Sequence, residues 1–522
     1  MENGYSAVSG AVEKGADVPP YDIAVVTGLP VQPADRLIGG RLGGEGMSLL
    51  ASNVTNHAGT RLNNNREGKG GCDKADNGVF GKGARRTDND RLVTTLLVLN
   101  HMIGSGILNT SQMVLKSGVV VASVFYVIAG AAIWLGGTVI MLAAEASCQG
   151  GQGSIEELDY TVLAARTLGE HGPIFVDVSI VTVNFGAVCS YIILIGSLTS
   201  SMLGEWSATS IAPGTVDVAI AWWESFYFVA PVMVLFFVFP PCLVRHFSNL
   251  RLLSTFSLSA ISAVILFVVF GSPSFAAAER AMTDGESKVD DPIVWWNWTG
   301  AFSKMGSLVF ALNCAPVVLH SYSAMGKRTE SEWKAVMSAS VLAGGAMCYV
   351  TGLAGYLAFR GATEGDILDN FFGPLAAFFK ILVIVHLILY IPNKAVVLRH
   401  NLYSLVGRDV MNASFSSVAA VTASMLAVMV AVVTALMSAG VAQGDLYGYV
   451  LDLTGGVTGS ILSFVLPGMA YLAATKDVAL RGGASEGNNV RAYRTGCRVL
   501  VVFGLAITVI VPVAVMRGAL DK

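Results

Sequence analysis

Residues 99–118 read LNHMIGSGILNTSQMVLKSG. They continue an apolar run that starts at Leu92, and the whole run is long enough to cross a bilayer. Yet Gly104-Ser105-Gly106 stands in its middle, beside Asn100 and His101. Glycine in a helix interior costs about 1 kcal/mol relative to alanine, and an unpaired backbone group in hydrocarbon costs far more. Two readings follow. Small residues let neighbouring helices approach closely. Alternatively the helix is broken here, and its freed amides and carbonyls line a cavity where they meet a carboxylate and a cation.

Composition sets the compartment. The chain has 522 residues, 53% of them hydrophobic and 13% charged, with mean hydropathy +0.62. A soluble globular chain carries roughly 25% charged residues. Eleven apolar runs follow Arg91, at about 92–116, 119–147, 174–203, 226–244, 251–271, 300–323, 334–359, 373–400, 415–440, 447–473 and 497–516. Each is near the roughly 20 residues that span hydrocarbon. Residues 1–90, rich in Gly, Asn and Asp, read as a disordered cytoplasmic tail without the apolar core of a signal peptide. Residues 91–522 read as the transmembrane domain, and 149–173 as a short surface helix between the second and third runs.

The net charge of −3 identifies no partner, because opposite charges lie on opposite sides of the membrane. Their distribution gives the orientation. Arg85, Arg86 and Arg91, Arg245 and Arg251, Lys327, Arg328 and Lys334, Arg399 and Arg408, and the group from Lys476 to Arg498 fall on one side if the N-terminus is cytoplasmic. Glu205, Asp217, Glu224, Asp284, Glu286, Asp290 and Asp291 fall on the other. The seven cysteines, Cys72, Cys148, Cys189, Cys242, Cys314, Cys348 and Cys497, avoid the outer loops, so no structural disulfide is expected.

A second interruption favours the broken-helix reading of the first. The sixth run contains MGSLVFALNCAPVVLHSYSAM at 305–325. Pro316 removes a backbone donor and disfavours helix just before it, where Asn313 and Cys314 stand. Two broken spans, five positions apart in order, suggest an all-α polytopic protein with about eleven transmembrane helices in two inverted repeats of five, the ligand held between spans one and six.

IGSGILN at 103–109, FALNCAPVVLHSYSAM at 310–325 and GGVTGSILSFVLPGMAYL at 455–472 resemble the amino acid/auxin permease family of the APC superfamily. Pro392 and Arg399 resemble that family's proline and arginine at the end of span eight. The resemblance covers roughly residues 91–516. It implies a leucine-transporter-like fold and a secondary active transporter of neutral or cationic amino acids, working by alternating access in a plasma, vacuolar or lysosomal membrane. The expected partners are an amino acid and the bilayer, with no nucleic acid, no cofactor and no metal beyond a coupling proton or sodium ion. A sensor that binds an amino acid and signals through its tail would carry the same site.

The expected substrate site is Ile103, Gly104, Ser105, Gly106 and Ile107, whose amides would meet the carboxylate, with Asn313, Cys314 and Ala315 supplying carbonyls for the ammonium. Asn184 in span three either lines this site or bonds between helices. The ion-coupling candidates are Asn100, Lys380, His386 and Tyr390. Asn100 matches the asparagine of sodium-coupled family members. Against sodium, Lys380 to Ile391 contains no Ser or Thr, Ile388, Leu389 and Tyr390 stand where a hydroxyl is usual, and Val397 replaces the family's second proline. The balance favours a proton. A charge at the centre of a span costs about 2.5–3.5 kcal/mol, so Lys380 either snorkels outward or serves the ion. His386 is either proton-linked or a hydrogen-bonded interior histidine. Asn297-Trp298-Thr299 fits a glycosylation acceptor but abuts span six. No metal-ligand spacing, nucleophile triad or phosphate loop points to an enzyme.

The charge pattern predicts that a tag preceding Arg91 is cytoplasmic and one following Met516 is on the opposite side. A pH-sensitive fluorescent protein at each position checks this. Both tags on one side would require an even number of spans.

Overall fold

The first apolar run forms two helices instead of one. In the computed structural model, α1 (Arg91–Met102) is followed by a tight helical turn, Ser105–Asn109, and by α2 (Thr110–Ser117), with a 55° bend at the break. The structure describes residues 90–148, 155, 158–210, 221–243, 250–282, 288–408, 413–441, 443–476 and 486–520. Apart from Asp90, the expected tail lies outside them, as do Cys72, Asp217, Arg245, Asp284 and Glu286.

The remaining membrane helices follow the apolar runs. They are α3 (Val119–Cys148), α5 (Gly172–Ser210), α6 (Phe226–Cys242), α7 (Leu250–Met282), α8 (Trp298–Leu312), α9 (Ala315–Ser323), α10 (Glu330–Phe359), α11 (Gly373–Leu405), α12 (Phe415–Ser438), α13 (Gln443–Ala474) and α14 (Glu486–Leu520). Between α3 and α5 lies a short helix, α4 (Tyr160–Leu168). Among the described residues there is no strand. Among the described residues nine helices, counting α8 and α9 as one span, are long and apolar enough to cross a membrane, and α1 with α2 makes a tenth. α6 has the fourth run's position and composition but is shorter than a full span.

Two contacts hold the centre. α11 lies along α5, and α13 lies against α8. The second contact is backbone on backbone: a Cβ on Gly306 would stand 1.9 Å from the Asp452 carbonyl oxygen, and one on Gly455 would stand 2.0 Å from that of Gly306. Beside it Lys304 pairs with Asp452 at 2.8 Å, their side chains 6% and 1% exposed. Asp452 also accepts from the Ser307 amide at 3.0 Å and from the Ser307 hydroxyl. A buried pair offsets its desolvation only when its remaining lone pairs are filled in this way.

α13 carries two stretches of widened helix, Thr454–Gly459 and Ile461–Val465, which leave carbonyls off the regular ladder. Tyr160 of α4 donates to one of them, the Leu462 oxygen, at 2.6 Å. The segment expected to be a surface helix therefore buries Tyr160, Leu163 and Ala164 and braces α13. Lys380 does not snorkel. Its side chain is 1% exposed and meets Glu205 at 3.1 Å and Ser201 at 3.2 Å, both on α5.

Between α10 and α11, residues 363–372 fold back over the end of α2, where Asn109 donates to the Gly365 carbonyl at 2.6 Å. Asp366 caps the turn Ile367–Asn370 through the Leu368 amide at 3.0 Å. Burial, with Asp369 nearby, raises the Asp366 carboxyl well above its usual range. Burial lifts Asp369 to about 6 against the pull of Lys380. An acid raised on folding contributes stability below its unfolded pKa and loses it as pH climbs through the folded value. Asp369→Asn is therefore expected to stabilise the fold at pH 7.5 by more than about 1 kcal/mol, at about 1.4 kcal/mol per unit, read as a higher melting midpoint in detergent, and to change little at pH 4. A lower midpoint for Asp369→Asn at pH 7.5 would mean that the attraction of the Lys380 charge outweighs burial.

Candidate functional site

The two interruptions lie against each other. At the first, Ile103 and Gly104 leave helical geometry, with φ/ψ of −86°/86° and −110°/−157°. The Gly104 amide turns back to the Met102 carbonyl at 3.1 Å. At the second, Asn313 and Cys314 separate α8 from α9. The Asn313 side-chain oxygen caps α9 through the Ala315 amide at 3.0 Å and accepts from Ser463 of α13 at 3.1 Å.

The two glycines of the first break have different reasons. A Cβ on Gly106 would stand 3.1 Å from the Ala311 Cα and from the Phe310 ring, so this glycine lets the first break touch the end of α8. A Cβ on Gly104 would meet only the Tyr191 hydroxyl, at an ordinary 3.5 Å. Neither glycine has a positive φ. Close packing and a broken helix are thus both present, two residues apart.

A cavity of about 30 Å3 lies at this junction, lined from α1 and the break by His101, Met102, Gly104 and Gly106. α5 adds Val183, Asn184, Ala187 and Tyr191; the second break adds Phe310, Ala311, Asn313 and Pro316; α11 adds Lys394. Such a space holds about two waters, so an amino acid would need the helices to part.

Gly104, Gly106, Asn184 and Asn313 of the expected substrate site line this cavity, and Ile103, Ser105 and Ile107 are buried beside it. The Ser105 carbonyl is occupied by the Tyr447 hydroxyl of α13 at 2.6 Å. Cys314 and Ala315 line a second, smaller cavity of about 10 Å3 against α3. Asn184 donates to the Ile180 carbonyl of its own helix at 2.8 Å.

Of the expected ion-coupling residues, Asn100 is buried with its side-chain oxygen unpaired. His386 is buried, stacks on Tyr390 at 5.6 Å and has no hydrogen-bond partner at either ring nitrogen. Neither His386 nor Lys380 lines the cavity. Asn297 uses its side chain to cap α8 through the Gly300 amide at 3.1 Å.

The basic groups that do reach the cavity are His101 and Lys394. Their nitrogens are 3.5 Å apart, and the Lys394 ammonium sits 5.6 Å over the Tyr390 ring. Neither is among the sequence-derived candidates, although a signal existed. His386, Tyr390 and Lys394 recur every four residues, which places them along one stripe of a helix.

Residues 91–515 match the family described as transmembrane amino acid transporter protein. The cattle sodium-coupled neutral amino acid transporter 7 (Bos taurus) is 22% identical, over 53% of this chain and 56% of its own length. Vacuolar amino acid transporter 7 of Saccharomyces cerevisiae is 23% identical, over 54% and 52%. Mouse and rat relatives, whose names mark them provisionally as sodium-coupled neutral amino acid transporters, are 23% and 24% identical, and the chain spans 65% of the length of each. A solved structure of an Eremococcus coleocola manganese transporter covers 81% of this chain and 94% of its own at 12% identity, with a TM-score of 0.42. Because the family match runs through almost all of the membrane region, the chain belongs to the transmembrane amino acid transporter family.

Proposed function

We propose that this protein transports amino acids across its membrane by alternating access, with the cavity between the two breaks as the substrate site and a proton as the coupling ion. The observation that carries the reading is the cavity itself: both interrupted spans, α5 and α11 converge on it at one point. A single point of convergence suits one bound solute better than a continuous conducting filter. The C-terminal end of α8 presents partial negative charge to an ammonium group, and the break at Gly104–Gly106 presents backbone to a carboxylate.

Proton coupling is supported by what lines the site. The relatives' names point to sodium, but a hard cation needs oxygen ligands, and the α11 contribution here is a lysine next to a histidine. His101 lies beside Lys394 of α11, whose ammonium sits over Tyr390; Tyr191 of α5 lines the same cavity, and among the described residues no carboxylate does. We therefore move the coupling role from His386 to His101, the titratable ring that lines the cavity, and its protonation beside Lys394 requires the substrate carboxylate as counter-charge.

Uptake of a labelled L-amino-acid panel into proteoliposomes tests this. Uptake is expected to rise as external pH falls and to survive replacement of sodium by choline. His101→Ala is expected to flatten the pH response, and His386→Phe to preserve it. Loss of uptake in choline at every pH would replace the proton by sodium. Absence of uptake despite binding would favour the sensor.

The break has its own test. Gly106→Leu is expected to insert normally yet to lose substrate binding and uptake by about tenfold or more, because overpacking this contact costs about 1–3 kcal/mol. Gly104→Ala is expected to retain most activity. Equal tolerance of both substitutions would remove the contact between the breaks from the mechanism.

A further inference from the structure

Lys394 is a cation without an anion. It lines the central cavity, and its only hydrogen-bond contact among the described residues is the ring nitrogen of His101 at 3.5 Å. The helices around it carry carboxylates, but these are held elsewhere. On α5, Asp177 accepts from Thr161 and from Ser404, and Ser404 lies ten residues along α11 from Lys394, about 15 Å at 1.5 Å per residue. Glu205, also on α5, pairs with Lys380, fourteen residues the other way and about 21 Å off. Asp452 of α13 is filled by Lys304 and Ser307. Glu332 at the start of α10 pairs with Arg91. Tyr390, whose ring lies under the Lys394 ammonium, and Tyr191 and Asn184, which line the same cavity, are neutral.

A charge left unpaired in a low-dielectric site is costly, and the cost disappears when a ligand brings the opposite charge. We infer that Lys394 is the counter-ion of the substrate carboxylate, and that the site accepts α-amino acids with neutral side chains and rejects those with cationic ones. The inference rests on the proposed substrate cavity and adds a side-chain contact to it. The carboxylate lies between Lys394 and the backbone of Gly104–Gly106. The ammonium points to the C-terminal end of α8, where Phe310 and Ala311 line the wall. The side chain is left with Met102, Val183, Ala187 and Pro316. A lysine or arginine substrate would bring a second positive charge into a cavity with no acid to receive it.

The test measures binding to the full-length protein in detergent, by thermal stabilisation and by competition with a labelled amino acid. The probes are L-alanine, L-leucine and L-glutamine, their C-terminal amides, and L-lysine and L-arginine. The wild type is expected to bind one or more of the three free amino acids, and to bind the matching amide and both cationic amino acids weaker by about tenfold to a hundredfold, the range for one charge-assisted hydrogen bond. Lys394→Met is expected to weaken the free amino acid by that factor without weakening its amide, and Lys394→Arg to restore most of the loss. The amide comparison needs no variant, so it can overturn the inference even if Lys394→Met fails to fold, and Lys394→Arg then separates the side-chain contact from the backbone one. An amide bound as tightly as its acid, or L-lysine bound as tightly as L-alanine, overturns the inference while leaving the substrate cavity in place. If the wild type neither binds nor takes up any amino acid, the inference falls together with the proposed function.

Discussion

Backbone that leaves the helix at bilayer depth has to be covered by protein, because hydrocarbon offers no hydrogen bonds. Much of the central architecture meets that demand. Asn313 folds its side chain back onto the Ala315 amide and is itself held by Ser463. Tyr447 reaches across to the Ser105 carbonyl. Both outside partners come from α13, which can come so close because glycines on α8 and α13 let the two backbones touch. The Lys304–Asp452 pair lies beside that contact and links the same two helices. α13 is thus the brace of both breaks, and its own widened turns are in turn steadied by Tyr160 of the small helix before α5.

The distribution of buried charge follows a different logic along α5 and α11. Toward one end, Lys380 is neutralised by Glu205. Toward the other, Asp177 is tied by hydroxyls of Thr161 and Ser404. Between them Lys394 faces the cavity beside His101 and the Tyr390 ring, with no carboxylate partner among the described residues. Charges that serve the packing of two helices come with their partners. A charge whose partner arrives with the ligand does not, and this separates Lys394 from Lys380 although both lie on one helix.

Much of the fold was legible in the amino-acid sequence. Hydrophobic runs near membrane length reveal spans because the bilayer tests each segment by its own composition, largely independent of its neighbours. The breaks were legible for a similar reason: Gly104-Ser105-Gly106 and Pro316 act on the local backbone. Which polar residues share a site was not. Asn313 and Gly106 line the central cavity, but Cys314 and Ala315, one and two residues beyond Asn313, face another space. His386 and Lys394 lie on one stripe of α11, and only Lys394 reaches the cavity.

Composition and local pattern alone therefore determined that the chain crosses a membrane many times and that two of its spans are interrupted. Tertiary structure alone decided that the interruptions meet, that Gly106 is in tight contact and Gly104 is not, that Lys380 has a partner and that Lys394 and His101 stand in the cavity. The physical reason is the range of the forces. Helix formation and partition into hydrocarbon are settled within about twenty residues, whereas the fate of a buried charge depends on atoms within a few ångströms that can come from anywhere in the chain. Asp452 reaches Lys304 across 148 positions of sequence, and Lys394 reaches His101 across 293.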